Sequence, residues 1–360
     1  NVFVLDTPNT TYAFGVIPSG HLEHLYYGRK LYLGETSRSK VDGIRAVSQK
    51  YSNNTGGIAY SQENIAISMN DVRLEVSGRG TGDFRPPFVE ITWEDGTQTC
   101  DFVYEKHEIM EGKNILETLP SSYDDTEEAT TVVITLKEKF KPVKLELYYS
   151  VFPSADCIVR SAVLKNEGEC DIRIERLLSM QLDMEGNGYD MISFHGDWGR
   201  EMQRHRIPVT GGTAVNSSVT GFSSNQANPF TMIATPWTTE EQGECIACNL
   251  IYSGNHYEAA HINVQNKTRF VAGINPEMFS WKLEPGESFE TPDFKWYGNT
   301  APTYTVTESN IPEGWTLDGI TNSSGSLQPD TTVKSIVTNS FSTRIVIDFK
   351  NGITEDTEIL

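Results

Sequence analysis

Apolar and polar residues alternate in short runs along most of this chain, and the runs are cut by Gly, Pro, Asn and Asp. That period of two predicts β-strands with one buried face. Val2 to Leu5 and Tyr12 to Val16 form two such runs around a Pro-Asn-Thr turn, and His21 to Leu33 reads as a third strand. Ile65 to Val76 alternates as well, with Ile65, Ile67 and Met69 on one side and then Val72, Leu74 and Val76 on one face. Val89 to Trp93 is followed by Glu94-Asp95-Gly96-Thr97, an Asp-Gly turn that predicts a hairpin returning over Thr99 to Glu108. Four strands are expected in close succession at 130–137, 143–152, 157–165 and 171–185. Further strands are expected at 207–215, 229–235, 245–253, 257–264, 268–273 and 278–283. Residues 35–64 are polar and read as a long excursion. Regular strands with turn signals predict an all-β protein, a large two-sheet antiparallel β-sandwich.

Composition agrees. Hydrophobic residues make up 38% of 360, enough for a real core, and the 29 Gly and 16 Pro favour turns over helices. No run reaches the ~20 apolar residues of a membrane-spanning helix. A net charge of −20 excludes a phosphate-binding surface of the usual cationic kind, so no nucleic-acid partner is expected. Five widely spaced cysteines make a poor disulfide framework and suit a reducing compartment. Cys245 and Cys248 share a strand-like run, where positions three apart face opposite sides, so no metal or redox pair is expected. Residue 1 is Asn, and the first ten residues carry no basic region or apolar signal core, so a fragment or processed product is expected.

Several blocks carry a family resemblance. They include Gly20-His21-Leu22-Glu23-His24-Leu25-Tyr26-Tyr27-Gly28, Gly82-Asp83-Phe84-Arg85-Pro86-Pro87 and Leu119-Pro120-Ser121-Ser122-Tyr123. Others are His195-Gly196-Asp197-Trp198-Gly199-Arg200-Glu201, Gly273-Ile274-Asn275-Pro276 and Leu283-Glu284-Pro285-Gly286-Glu287. Over residues 1–292 the chain resembles the N-terminal β-sandwich domain (supersandwich) of bacterial α-galactosidases of glycoside hydrolase family 36. The resemblance implies a parent enzyme that hydrolyses terminal α-galactosides of the raffinose type with retention and without a cofactor. It implies a catalytic (β/α)8 barrel as partner, a homo-oligomer and a cytoplasmic location. Retaining glycosidases need two carboxyl groups about 5–5.5 Å apart. The family carries them on the barrel, one in a Lys-Trp-Asp segment, whereas here Lys295-Trp296 is followed by Tyr297. The chain is therefore expected to hold no catalytic residues and to be inactive alone.

Residues 293–360 differ. Tyr304 to Glu308 and Ile336 to Phe341 resemble the C-terminal half of a Cna-B-like surface-protein repeat, a small β module. That likeness implies Glu308 and Asn339 as members of an isopeptide site. It opens an alternative reading as a carbohydrate-binding or adhesive module at the cell surface.

Two blocks could touch sugar. Asp197, Trp198 and Arg200 lie between glycines at a strand-to-loop change, and an indole face stacks on a pyranose while Arg and Asp bond its hydroxyls. The competing reading is a domain-interface anchor, with Arg200 holding Glu201 or Asp83. Asp83 and Arg85 could bond a ligand or brace a turn. The histidines are scattered and suggest no metal site, and no serine has a visible His/Asp constellation.

Overall fold

The computed structural model describes residues 1–34, 36–48, 58–116 and 119–296, and the backbone of six further strands between 303 and 359. The chain divides into two compact units, Asn1–Gly298 and Asn299–Leu360.

The first unit opens with β1 (Val2–Asp6), β2 (Thr10–Val16) and β3 (Leu22–Arg29), which form a three-stranded antiparallel sheet. Next come α1 (Ser37–Val47), β4 (Val89–Thr92), β5 (Phe102–Glu111), β6 (Thr130–Glu138), β7 (Val143–Phe152), β8 (Cys157–Asn166) and β9 (Ile172–Glu185). They are followed by β10 (Asp190–His195), β11 (Gln203–Pro208), β12 (Gly212–Ser217), β13 (Phe230–Ala234), β14 (Cys245–Leu250), β15 (His256–Ile262) and β16 (Lys267–Ile274). β17 (Trp281–Leu283), β18 (Ser288–Glu290) and β19 (Phe294–Trp296) end the unit. A ten-stranded sheet runs β11-β10-β13-β14-β19-β8-β7-β6-β5, with β18 also on β8. A six-stranded sheet runs β12-β15-β16-β9-β17, with β4 also on β9. One continuous apolar core draws on both large sheets, from Leu145, Leu147 and Tyr149 to Leu182, Ala260 and Phe270. The all-β sandwich is thus as expected, and the four strands from 130 to 185 lie within a residue or two of their predicted bounds.

Local pattern misled at four places. Ile65 to Val76 is not a strand: Ile67, Met69, Val72 and Leu74 are buried, but Ile65 is exposed, the polar residues between are buried too, and the backbone turns. One isolated bridge ties it to β3, with His24 N–H donating to Arg73 O and Glu75 N–H to Leu22 O, and side chains satisfy other polar groups. Leu74 donates its N–H to Asp183 and accepts from Gln181, while Arg85 donates to the carbonyls of Met69 and Val72. The turn at 94–97 closes, with the Trp93 N–H donating to Thr97 O, but its flanks part. β4 joins β9 in one sheet and β5 joins β6 in the other, so the turn is a crossover. The expected strand at 207–215 is broken by Gly211-Gly212 into β11 and β12, which belong to different sheets; Gly212 has φ 71°. Finally, part of the polar excursion is a helix. Thr36 caps α1 with a reciprocal bond pair to Ser39, and among its described side chains only Ile44 is deeply buried, packed with Ala13 and Leu25. One anchoring residue gives too little apolar periodicity to recognise.

Composition groups 293–298 with the tail, yet β19 pairs with both β14 and β8 inside the sandwich. The second unit contains a four-stranded antiparallel sheet of Leu317–Thr321, Thr332–Asn339, Arg344–Lys350 and Thr354–Ile359, and the strand pair Thr303–Thr305 with Ser324–Ser326. Asn339 ends the second of those four strands, paired in register with Leu317. Glu308 lies outside the described residues.

A charged knot ties the first unit together. Glu75, fully buried, accepts from the hydroxyls of Tyr12 (2.7 Å) and Tyr149 (2.9 Å). It also meets His24 Nδ1 at 2.8 Å and the Arg160 guanidinium at 3.4 Å. Arg160 in turn donates to the Gln181 carbonyl and sits over the Tyr149 ring, 4.6 Å from its centroid. Burial pushes the Glu75 carboxyl up, but Arg160 and His24 outweigh it and hold it below the ordinary value. Replacing Glu75 by Leu strands Arg160 without a countercharge, and we expect a loss of about 3–5 kcal/mol in denaturant unfolding. Glu75→Gln keeps a hydrogen-bonding group there and should lose less.

Candidate functional site

The two sequence-picked blocks sit in opposite physical settings. Asp83 and Arg85 are buried in a cluster of four charges. Asp83 Oδ1 accepts from Arg85 Nε at 2.9 Å, and its Oδ2 lies 2.7 Å from Arg269 Nη2. Arg269 grips Asp183 with both Nε and Nη2 at 2.7 Å, and Arg85 Nη1 lies 2.9 Å from Asp183. Two carboxylates thus offset two guanidiniums, and the pairs are bidentate where geometry allows. Burial raises the Asp83 carboxyl, but Arg269 and Arg85 overcome this and keep it low. All four groups are spent on one another, so Asp83 and Arg85 brace residues 69–86 against β9 and β16. Asp183 and Arg269 were not legible as their partners, because nothing local in sequence joins residue 83 to residue 269.

Asp197, Trp198 and Arg200 lie at the tip of the β10–β11 hairpin, and that hairpin supplies one edge of the ten-stranded sheet. The tip is built by its own backbone: Arg200 N–H donates to Asp197 O, Asp197 Oδ1 accepts from Trp198 N–H, and Glu201 accepts from Gly199 N–H. Gly199 takes φ 75°, and a side chain at Gly196 would lie 2.5 Å from Arg200 O. Trp198 is 93% exposed, and Met202 beside it is half exposed. Arg200 reaches Asp197 only at 4.0 Å and does not hold Asp83, which Arg85 and Arg269 already occupy. The hairpin therefore presents an indole and a loosely held Arg/Asp pair to the outside. Nearby on β10 and just before it, Phe194 and Tyr189 are half-buried: Tyr189 packs on the core and Phe194 against Phe230.

Three interior constellations escaped sequence reading. Ser19 Oγ lies 2.9 Å from His21 Nδ1, and His21 Nε2 lies 2.7 Å from Asp101, which also accepts from Tyr60. The intervening Gly20 N–H donates to Ile17 O, and the line ties the turn at 17–21 to Asp101 at the start of β5. His24 belongs to the Glu75 knot. Glu258, fully buried, accepts from Thr231 and Asn216. Among the described residues, no cluster of His, Cys, Asp or Glu could hold a metal ion, and no helix is long and apolar enough to cross a membrane.

With this geometry in place, comparison with known proteins is decisive. Residues 20–284 match the glycosyl hydrolase family 36 N-terminal domain. The chain belongs to that family. The domain is 40% identical over 221 residues to alpha-galactosidase 2 of Hypocrea jecorina, covering 61% of this chain and 30% of that protein. It superposes on the crystal structure of the alpha-galactosidase from Lactobacillus brevis with a TM-score of 0.75 at 34% identity, covering 82% of this chain and 39% of that one. A variant of the family 36 alpha-galactosidase AgaA from Geobacillus stearothermophilus, solved in complex with raffinose, matches with a TM-score of 0.76 at 31% identity, covering 82% and 40%. The chain thus spans about a third of the length of the curated relative and two-fifths of the solved structures.

Two outcomes are expected. Arg85→Ala should cost about 3–5 kcal/mol, because Asp83 and Asp183 lose a buried countercharge, whereas Trp198→Ala should leave the unfolding midpoint unchanged. Thermal or urea unfolding monitored by circular dichroism reads both. Burial raises Glu258 from 4.5 to about 8 against the pull of Thr231 and Asn216. The folded state then binds the extra proton between those values, so the Glu258 contribution to stability is full below pH 4.5 and falls as pH rises to about 8. Glu23, raised by burial to about 7 despite Arg73 and Arg45, adds to the same slope. Glu258→Gln should flatten the decline in unfolding midpoint across this window.

Proposed function

We propose that this chain serves as the non-catalytic N-terminal domain of an α-galactosidase, where it buttresses the catalytic barrel and the subunit interface. The observation that carries the reading is the superposition on the Lactobacillus brevis alpha-galactosidase over 82% of this chain. The physical character of the domain supports it. The charges with buried partners, in the Glu75 knot and the Asp83–Arg269 cluster, hold the fold and offer no reacting pair. The Trp198 hairpin is exposed without any structural duty, as an anchor for a neighbouring domain or subunit would be. The parent reaction is retaining hydrolysis of terminal α-galactosides of oligosaccharides such as the raffinose found in the AgaA complex. We place it in the cytoplasm as a homo-oligomer. All five cysteines are unpaired, two of them exposed, which suits a reducing compartment.

A domain exchange tests this. The Lactobacillus brevis enzyme carrying residues 1–298 of this chain in place of its own N-terminal domain should assemble and hydrolyse p-nitrophenyl α-galactoside. Trp198→Ala in that chimera should weaken assembly or turnover. A chimera that folds but stays inactive while the parent is active removes the reading. The 360-residue chain alone should show no turnover; activity retained through successive purification steps would overturn its non-catalytic role.

A further inference from the structure

The solvent face of the six-stranded sheet carries a groove beside the Asp83–Arg85 cluster, which lines one end of it. Two adjoining depressions of about 400 and 510 Å³ share Glu90, Arg176 and Tyr257. Glu175, Asn275 and Phe279 extend one depression, and Phe84, Pro87 and His261 extend the other. Volumes of this size suit a bound small molecule. Two features show that the lining is built. First, β4 pairs Glu90 with Arg176 and then Ile91 with Ile174, leaving Glu175 as a bulge residue. Consecutive strand residues normally face opposite sides, but here Glu175 and Arg176 both line the groove. Second, the polar groups are held in place. Arg176 pairs with Glu90 at 3.2 Å, donates to the Pro87 carbonyl at 3.3 Å, and lies 5.8 Å from the Tyr257 ring centroid. The second oxygen of Glu90 takes Arg79 at 2.8 Å.

The chemistry narrows the ligand. Arg79 and Arg176 are matched to Glu90, and Glu175 and Glu277 add negative charge, so an anion or phosphate is disfavoured. The Tyr257 ring already has a cation beside it. What is left is ring surface from Tyr257 and Phe279 next to fixed planar donors and acceptors. That combination stacks on the C–H face of a pyranose and bonds its hydroxyls. We propose that this groove is a non-catalytic binding site for a neutral oligosaccharide, separate from the Trp198 hairpin. The choice of sugar, though not the site, rests on the α-galactosidase reading.

The test is calorimetric titration of the 360-residue chain with raffinose, with maltotriose alongside. Raffinose should bind saturably in the millimolar range or tighter. Tyr257→Ala should weaken it on the order of tenfold. That ring also packs on the core, so Val215→Trp, which fills the groove from an exposed position, gives an independent check and should abolish binding. Trp237→Ala, an exposed aromatic elsewhere, should bind like the unaltered chain. Saturable maltotriose binding lost in the same variants supports the site and corrects its sugar. Absence of saturable binding for both sugars overturns the site. So does binding that survives Tyr257→Ala and Val215→Trp, or that is lost only on Trp198→Ala. None of these outcomes bears on the domain exchange, so the groove and the parent-enzyme reading fail separately.

Discussion

The Glu75 carboxylate is the interaction on which the sandwich depends. Its partners come from β2, β3, β7 and β8, and through Arg160 the contact reaches β9, so one buried charge touches all three sheets of the first unit. An apolar core is indifferent to small slips between sheets. A buried ion pair is not, because moving either partner leaves a charge in a medium of low dielectric. The knot therefore specifies how the small N-terminal sheet seats on the large ones, while the surrounding aromatic core provides most of the burial.

The Asp83–Arg85–Asp183–Arg269 cluster does a related job on the outer side of the six-stranded sheet. Residues 69–86 meet strands at isolated bridges, Leu74 with Glu23 and Gly78 with Val89, and the cluster, with Gln181 and Ser77, satisfies further backbone and side-chain groups of that segment. A loop laid over a sheet in this way creates relief. One wall of the Tyr257 groove is the Phe84–Pro87 stretch that the cluster holds down. Bracing and binding are thus not rival uses of the Gly82–Pro87 block, because the first shapes the surface for the second.

The first unit keeps its charge chemistry inside and its candidate contact surfaces outside. Glu258, His24, His21 and Asp101 are buried with dedicated partners, while the Trp198 tip and the groove face solvent. The sheet edges are also guarded: β5 exposes Glu105, Lys106, His107 and Glu108, and β11 exposes Gln203, Arg204 and His205. Charged edges discourage strand addition, so association is directed to faces and loops rather than to open backbone.

The alternation in β6 to β9 was legible without coordinates, because each strand there has neighbours on both sides and a buried face, so local pattern and tertiary demand agree. The family blocks were legible too, and glycines at 196 and 199 marked the Trp198 block as a loop, but β10 and the exposed hairpin it forms with β11 were not expected. Residues 65–76 read as a strand because apolar and polar residues alternate there, yet residues 67–77 are buried on every side, polar ones included, and hydrogen bonding is set by whatever lies beside the backbone. The crossover at 94–97 and the break at 211–212 look like an ordinary hairpin and a continuous strand for the same reason. Composition, pattern and motif determined that this chain is a family 36 β-sandwich. Only tertiary structure decided which carboxylates are spent, which aromatics are free and where a groove opens, because those depend on partners brought together from some ten to almost two hundred residues apart in the chain.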